Sequence, residues 1–282
     1  MTVMGTSGRG TAFSQDGYVF PIRVLSPQKA AEYLARFEAF DSSEAAGGFA
    51  DIHREVYLFK PHLLLKWADA LVHEPAILDA VSDILGPDLL CWSAGIFQKT
   101  PHSPHLVSWH QDAVYYGLSP ADHVVRIWVA LSPARVENGT MQFARGAHRV
   151  GLKPHRPQPT QDNLLSRGEV VQLDVSAYEN VDVELAPGEA SIHHLFMPHA
   201  SGPNRSDIRR VNLVITYIAP DVRPASGEDS ALPVRGVDRF GHFAQERRPN
   251  DDLSAAARQA HAAAMALRHK NFRFNAASIE VH

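Results

Sequence analysis

Between Leu89 and Ala219 the chain runs in short apolar or alternating stretches separated by Gly, Pro, Asn and Asp, and this punctuation constrains the fold more than any other feature. The stretches are Leu89–Lys99, Val107–Tyr116, His123–Leu131, Thr140–Ala144, Val181–Leu185, Ala190–Met197 and Arg209–Ala219. Each reads as a strand, and strands of this number and hairpin-like spacing predict a double-sheet jelly roll with its core at about 89–220. Upstream the pattern is mostly helical. Ser26-Pro27 offers an N-cap followed by proline in the first turn, Ala30–Phe40 carries apolar residues at helical spacing, and Leu63–Leu85 reads as one or two helices broken near Pro75 and closed by Gly86-Pro87. Gly17–Pro21 and Arg54–Phe59 look like short strands. Helices first and strands afterwards predict an α+β, mainly β class, with a cupin-like jelly roll and flanking helices.

With 282 residues, 45% of them hydrophobic, one large domain over 13–282 is enough to hold a sizeable core. The net charge of −4 and the absence of a lysine- or arginine-rich run argue against nucleic-acid and membrane-surface roles, so the expected partner is a small molecule. No apolar run reaches the roughly 18 residues of a membrane span. A single cysteine, Cys91, cannot form an internal disulfide. The polar, glycine-rich start reads as a flexible tail over 1–12 and not as a targeting signal, so a soluble cytoplasmic protein is expected. Two stretches break the strand rhythm. His148–Glu169 suits either a lid or a plain surface excursion, and 221–282 reads as a loop followed by a helix from about Leu253 to His269. Within the loop, Asp238–His242 is expected to cover a sheet edge in preference to the site.

The chemistry gathers at Ser108-Trp109-His110-Gln111-Asp112. In a strand, side chains two apart point to one face, so His110 and Asp112 could reach a single metal ion. A distant histidine would complete a 2-His-1-carboxylate facial triad, the arrangement that holds non-haem Fe(II) and leaves its other face open. With 16 histidines, on the order of two such triplets arise by accident. The other one here, His53-Arg54-Glu55, precedes the run of strands and has no obvious partner histidine. The third ligand would come from His193, His194 or His199. Parity places His193 and His199 on one face of a regular strand, and Pro198 suggests that the ladder ends before His199, where a strand end leaves room for an open coordination face. His193 and His194 then fit packing or orienting roles. Farther on, alternation puts Arg209 on a face with Val211, Leu213, Ile215 and Tyr217, and Arg210 on the other with Asn212, Val214 and Thr216. Either arginine could grip a dicarboxylate from the barrel mouth or lie at the surface.

Several separated blocks in order carry a resemblance. They are Ser108–Asp112, Glu137-Asn138-Gly139-Thr140-Met141 with Arg145-Gly146-Ala147-His148-Arg149, Pro187-Gly188-Glu189, and His199-Ala200-Ser201-Gly202-Pro203-Asn204-Arg205-Ser206. Over about Asp16–Pro220 the chain resembles the phytanoyl-CoA dioxygenase family of Fe(II)- and 2-oxoglutarate-dependent oxygenases. The resemblance implies a double-stranded β-helix with Fe(2+) on His110, Asp112 and His199. It implies a 2-oxoglutarate carboxylate on Arg210, eleven positions after His199, with Ser201, Trp128, Gln98 and an upstream lysine at Lys60 as further contacts. It also implies O2 as the other co-substrate and release of succinate and CO2. Related halogenases carry a small residue in place of the carboxylate, so Asp112 points to hydroxylation. Substrate identity does not carry over, and His102, His105, Tyr115, Tyr116 and Arg126 are candidate lining residues. The rival expectation is a cupin-like metal-binding module or a zinc-dependent hydrolase, since His/Asp/His also suits zinc with one open position. A carboxylate-binding arginine near the metal would separate the two.

Overall fold

The structure, a computed structural model, describes residues 8–43, 47–49, 56–158, 161–165 and 168–279. The triplet His53–Glu55 and the first seven residues of the expected tail lie outside this set. In chain order the first elements are α1 (Gly8–Asp16), β1 (Tyr18–Arg23), α2 (Pro27–Asp41), β2 (Val56–Phe59), α3 (Lys66–Val72), α4 (Pro75–Leu85) and β3 (Leu89–Lys99). The centre holds β4 (Val107–His110), a short helical turn α5 (Ala113–Tyr116), β5 (Leu118–Ser119), β6 (Val124–Ala130), β7 (Met141–Ala144), β8 (His155–Pro157), β9 (Glu169–Val171), β10 (Asn180–Asp182), β11 (Glu189–His194), β12 (His199–Ser201) and β13 (Arg210–Ile218). The last part contains β14 (Arg223–Pro224), β15 (Ser230–Arg235), β16 (Ala244–Gln245) and α6 (Ala255–Ile279).

The strands form two main sheets. The larger has the order β1-β11-β6-β13-β3-β15-β16, with β2 also paired to β3, and the smaller has the order β10-β7-β12-β4. Alternation along the large sheet separates two apolar faces. Ile96, Ile127, Val129, Val211, Leu213, Ile215 and Tyr217 face outward into one core with Phe37 of α2, Leu71 of α3 and Ile77, Val81 and Ile84 of α4. Trp128, Ala130 and Val214 face inward and meet Met141 and Phe143 of the small sheet. The jelly roll therefore has a helix-covered outside and a narrow sandwich interior, and the site lies in that interior.

Local rules account for the flanking helices. Ser26 Oγ accepts from Lys29 N at 3.1 Å, Pro27 supplies the first turn, and Ala30, Tyr33, Phe37 and Phe40 form the buried stripe. Pro75 starts α4 after a break at His73–Glu74, as the sequence predicts.

Four expectations change. Residues 8–16 are helical where a flexible tail is expected over 1–12. Phe13 is buried, Arg9 pairs with Asp83 at 2.5 Å, and Asp16 receives Arg145 at 3.0 Å and 3.1 Å, so distant residues hold a segment with little helical signal of its own. The stretch Val107–Tyr116 is not one strand: it ends at His110 and winds into α5. The run Ala190–Met197 stops at His194, a turn closed by Met197 N to His194 O at 2.9 Å follows, and His199 opens a new strand in the other sheet. Finally, α6 extends to Ile279, and β15 forms within the proline- and glycine-rich loop on the β3 edge. It is β15 that occupies that edge, and the Asp238–His242 segment expected there follows it, with Val237 N and Arg239 Nη1 reaching the Asp88 carboxylate at 2.9 Å and 2.8 Å.

Candidate active site

Two neighbouring strands of the small sheet bring the imidazoles together. His110 and His199 are Cα partners across the β4–β12 ladder, and their ring centroids lie 4.1 Å apart. Asp112 arrives differently from the expectation. Its backbone is helical (φ −59°, ψ −30°) at the start of α5, so the chain turns after His110 and carries the carboxylate back over the strand end. His110 Nε2 lies 3.6 Å from Asp112 Oδ1, and His199 Nε2 lies 3.8 Å from Oδ2. One ligand atom from each of the three residues falls within 4.8 Å of the others. Both imidazoles are fixed from behind, His110 Nδ1–H donating to Ser108 O at 2.9 Å and His199 Nδ1–H to Met197 O at 3.0 Å. A carbonyl only accepts, so each Nδ1 keeps its proton and each Nε2 lone pair faces Asp112.

Protonation states agree with a ligand set. All three residues are buried. Burial alone would raise the Asp112 pKa, but the Arg126 guanidinium above all, with His193 beside it, outweighs burial and holds the carboxyl well below the usual range. Burial, with His110 alongside, pushes His199 well below its ordinary value, so its ring is neutral near pH 7. Two imidazoles and one carboxylate on one side of a small space are the donors a facial triad requires.

Asp112 is oriented by two more groups. Arg126 Nη1 donates to Oδ1, and His193 Nε2 lies 3.3 Å from Oδ2. His193 reaches in from β11 of the large sheet, which separates it from His199 and gives it the orienting place anticipated from sequence. His194 turns away to Asp122 at 2.9 Å. Between His110 and Asp112, Gln111 donates through Nε2 to Gly151 O at 2.9 Å and Phe196 O at 2.8 Å, and its Oε1 accepts from Lys153 N at 2.8 Å. The stretch after His148 is thus fastened to the turn between His110 and Asp112. Leu106 N to Asp162 O at 2.8 Å and Ser108 Oγ to Glu169 O at 2.9 Å continue this attachment along β4.

A cationic corner adjoins the triad. Arg210 and Lys99 are Cα partners across β13–β3, buried on the inner face of the large sheet. The guanidinium carbon of Arg210 stands 5.3 Å from the Trp128 ring centroid, and its Nη1 donates to Gly139 O. Lys99 Nζ donates to Ser201 Oγ at 2.8 Å and to Gly202 O. Gly139 has φ +74°, and a Cβ there would stand 2.3 Å from Gly202 O, so only glycine lets this turn approach the segment after β12. Asn204 Nδ2 donates to Lys99 O at 3.1 Å, Thr100 O at 2.9 Å and Ile208 O at 2.9 Å, tying the end of β3 to the approach of β13. Arg210, Lys99, Ser201 and Trp128 could together receive a carboxylate.

Residues 13–212 match the family model of phytanoyl-CoA dioxygenase (PhyH). The chain belongs to that family. Among solved structures, the apo non-heme monooxygenase ThoJ is 40% identical with a TM-score of 0.82, covering 96% of this chain and 99% of that one. CytC3 with Fe(II) and alpha-ketoglutarate shares the fold at 19% identity and a TM-score of 0.66, over 89% of this chain and 97% of that one. A probable alpha-ketoglutarate-dependent hypophosphite dioxygenase from Stutzerimonas stutzeri is 31% identical over 59% of this chain and 58% of its own length. A probable phytanoyl-CoA dioxygenase from Caenorhabditis elegans is 26% identical over 52% and 49%. The chain thus spans about half to three fifths of these curated relatives.

In this PhyH member two expected contacts lie elsewhere. Gln98 is on the outer face: its register partner is Val211 of the outer core, and its Oε1 accepts from Arg209 Nε at 2.5 Å, the same arginine that pairs with Asp41. Alternation turns Gln98 outward and Lys99 inward. Lys60 is also spoken for. Its backbone N bonds Ala94 O, about 16 Å along β3 from Lys99 at strand rise. Its ammonium donates to Ser230 O at 2.8 Å and pairs with Glu246 in a fully buried cluster with His62. The sequence reading therefore missed Lys99. The signal lay in strand parity, since a lysine at the inward end of an otherwise apolar strand needs a polar destination.

The Lys60 cluster makes acid stability predictable. Burial opposes ionisation of Glu246, but Lys60 and His62 win and hold its pKa down at about 2, while burial holds His62 below its ordinary value. Both groups bind fewer protons folded than unfolded, so their stabilisation is present above the ordinary His and Glu values. It declines as pH falls through about 6.5 and then from 4.5 towards 2. Urea midpoints measured from pH 7 to 3 should fall more steeply for the wild type than for Glu246→Gln, which at neutral pH should itself lose about 3–5 kcal/mol by leaving Lys60 unpaired.

Proposed function

We propose that this protein is a non-haem Fe(II)- and 2-oxoglutarate-dependent dioxygenase that hydroxylates a small-molecule metabolite, with release of succinate and CO2. The observation that carries this reading is the buried Arg210–Lys99 pair on the sheet facing the His110/Asp112/His199 cluster. A zinc hydrolase or a structural metal module has no use for two cations in that position. When bound, Fe(II) with 2-oxoglutarate and O2 supplies the oxidising chemistry that transfers oxygen to the substrate.

The chain's own residues bind, orient and exclude water. His110, Asp112 and His199 hold the metal on one face, while Ser108 O and Met197 O keep both rings in the ligating tautomer. Arg210 receives the far carboxylate of 2-oxoglutarate, with Lys99 and Ser201 beside it and Trp128 stacked against the guanidinium. Arg126 and His193 hold Asp112 to a single carboxylate orientation. No side chain is needed as general acid or base. The protein acts in the cytoplasm in this reading, which its single buried free cysteine supports; no helix among the described residues is long and apolar enough to cross a membrane.

The deciding experiment is anaerobic titration of the apoprotein with Fe(II) and then 2-oxoglutarate. A weak visible charge-transfer band should appear on the second addition, followed by succinate release on exposure to O2 with substrate candidates. Tight metal binding with no band would favour the zinc or cupin-like alternative.

A further inference from the structure

We propose that the substrate carries an anionic group, a carboxylate or an acid of similar geometry, and that Arg126 grips it beside the metal with Arg268 as a second cation; this rests on the oxygenase reading above. Arg126 stands on the inner face of the large sheet, two residues before Trp128, with its side chain only 13% exposed. Nη1 is engaged by Asp112, while Nε is buried with no hydrogen-bond partner among the described residues. The guanidinium carbon lies 5.6 Å from the Tyr116 ring centroid and 5.8 Å from that of Phe97. Tyr116 in turn packs on Trp92 with centroids 4.8 Å apart, and Arg268 of α6 lies 5.3 Å over Trp92. A continuous path results: cation, two aromatic rings, cation, running from the metal ligand to the C-terminal helix.

Charge balance gives this path its meaning. Asp112 is the carboxylate that offsets Arg126, whose further ionisable neighbours are the Tyr116 phenol, His193 and Arg268. Once Asp112 ligates a divalent metal, its negative charge is shared with the ion. The 2-oxoglutarate dianion offsets the metal's own charge and is drawn towards Arg210 and Lys99. Arg126 is then a buried guanidinium with a diminished counter-ion, a costly state unless another anion arrives. The unsatisfied Nε and the adjoining Nη edge form the fork that binds a carboxylate through two parallel bonds. Tyr116, backed by the buried Trp92, and the partly exposed Phe97 offer apolar walls to the remainder of the molecule. Arg126 is thereby a specificity-determining residue as well as a support for Asp112.

The test uses the Fe(II)–2-oxoglutarate holoenzyme under anaerobic conditions with 3-phenylpropionate and its neutral amide, 3-phenylpropanamide, as probes. Binding is followed by calorimetry and by perturbation of the visible band. The wild type should bind the acid at least about tenfold tighter than the amide, a difference of about 1.4 kcal/mol. Arg126→Gln should reduce that preference to within about threefold, and Arg126→Lys should restore part of it. Arg268→Gln, which leaves the Asp112 contact in place, should weaken the same preference and carries the test if Arg126→Gln does not load iron. Equal or tighter binding of the amide, no binding of either probe at 10 mM, or a preference that survives both glutamine variants would overturn the proposal. Absence of the band before any probe is added would overturn the oxygenase reading, and this proposal with it.

Discussion

Replacing His199 by alanine should lower Fe(II) affinity by more than about 100-fold and abolish succinate formation, whereas His193→Ala should cost about 10–100-fold in affinity and leave measurable activity. The two imidazoles are 4.8 Å apart and both approach Asp112, so proximity alone does not rank them. What ranks them is the direction of the lone pairs. His199 is held by Met197 O with Nε2 open towards Asp112 and His110, while His193 spends Nε2 on Asp112 Oδ2. Anaerobic Fe(II) titration of the two variants checks the assignment, and retention of iron by His199→Ala with loss in His193→Ala would reverse it.

The second large effect concerns the co-substrate. Arg210→Ala should raise the 2-oxoglutarate requirement about 100-fold, the loss expected when two charge-assisted hydrogen bonds worth about 1.5 kcal/mol each disappear, while Fe(II) binding changes little. Lys99→Met should act in the same direction and by roughly tenfold. Lys60→Met should leave the 2-oxoglutarate requirement unchanged and instead lower the urea midpoint, because it strands Glu246. Steady-state titration of 2-oxoglutarate across the three variants, with iron saturating, separates these outcomes. An unaltered requirement in Arg210→Ala would remove the main support for the oxygenase reading.

The comparison of Lys60, Lys99 and Gln98 marks the boundary of what the sequence discloses. Alternation along β13 correctly divides Arg209 from Arg210, because a two-residue period survives wherever a strand is regular and buried on both faces. Applied to β3, the same parity turns Gln98 away from the site and Lys99 into it. The strands themselves were legible, since turn residues punctuate them and apolar runs fill them. Two breaks were not. His110–Asp112 leaves its strand through residues compatible with continued strand, and at 194–199 Pro198 signalled an end to the ladder but not that the strand already stops at His194 and that His199 joins the other sheet. Helix α1 has the same character, since its anchors Asp83, Arg145 and His148 are far away in sequence.

The carbonyls behind the imidazoles have a consequence for how this centre tolerates change. His110 and His199 each take their orientation from the backbone oxygen two residues earlier, at Ser108 and Met197, and His155 does so from Lys153. Every amino acid brings that oxygen with it. The alignment of the imidazoles is therefore insulated from mutation at 108 and 197 so long as the local trace persists, whereas Asp112, steered by the particular side chains of Arg126 and His193, has no such insurance. Drift in this site should thus be absorbed unevenly, with the two histidines as its fixed frame and the carboxylate's surroundings as the part that selection must watch.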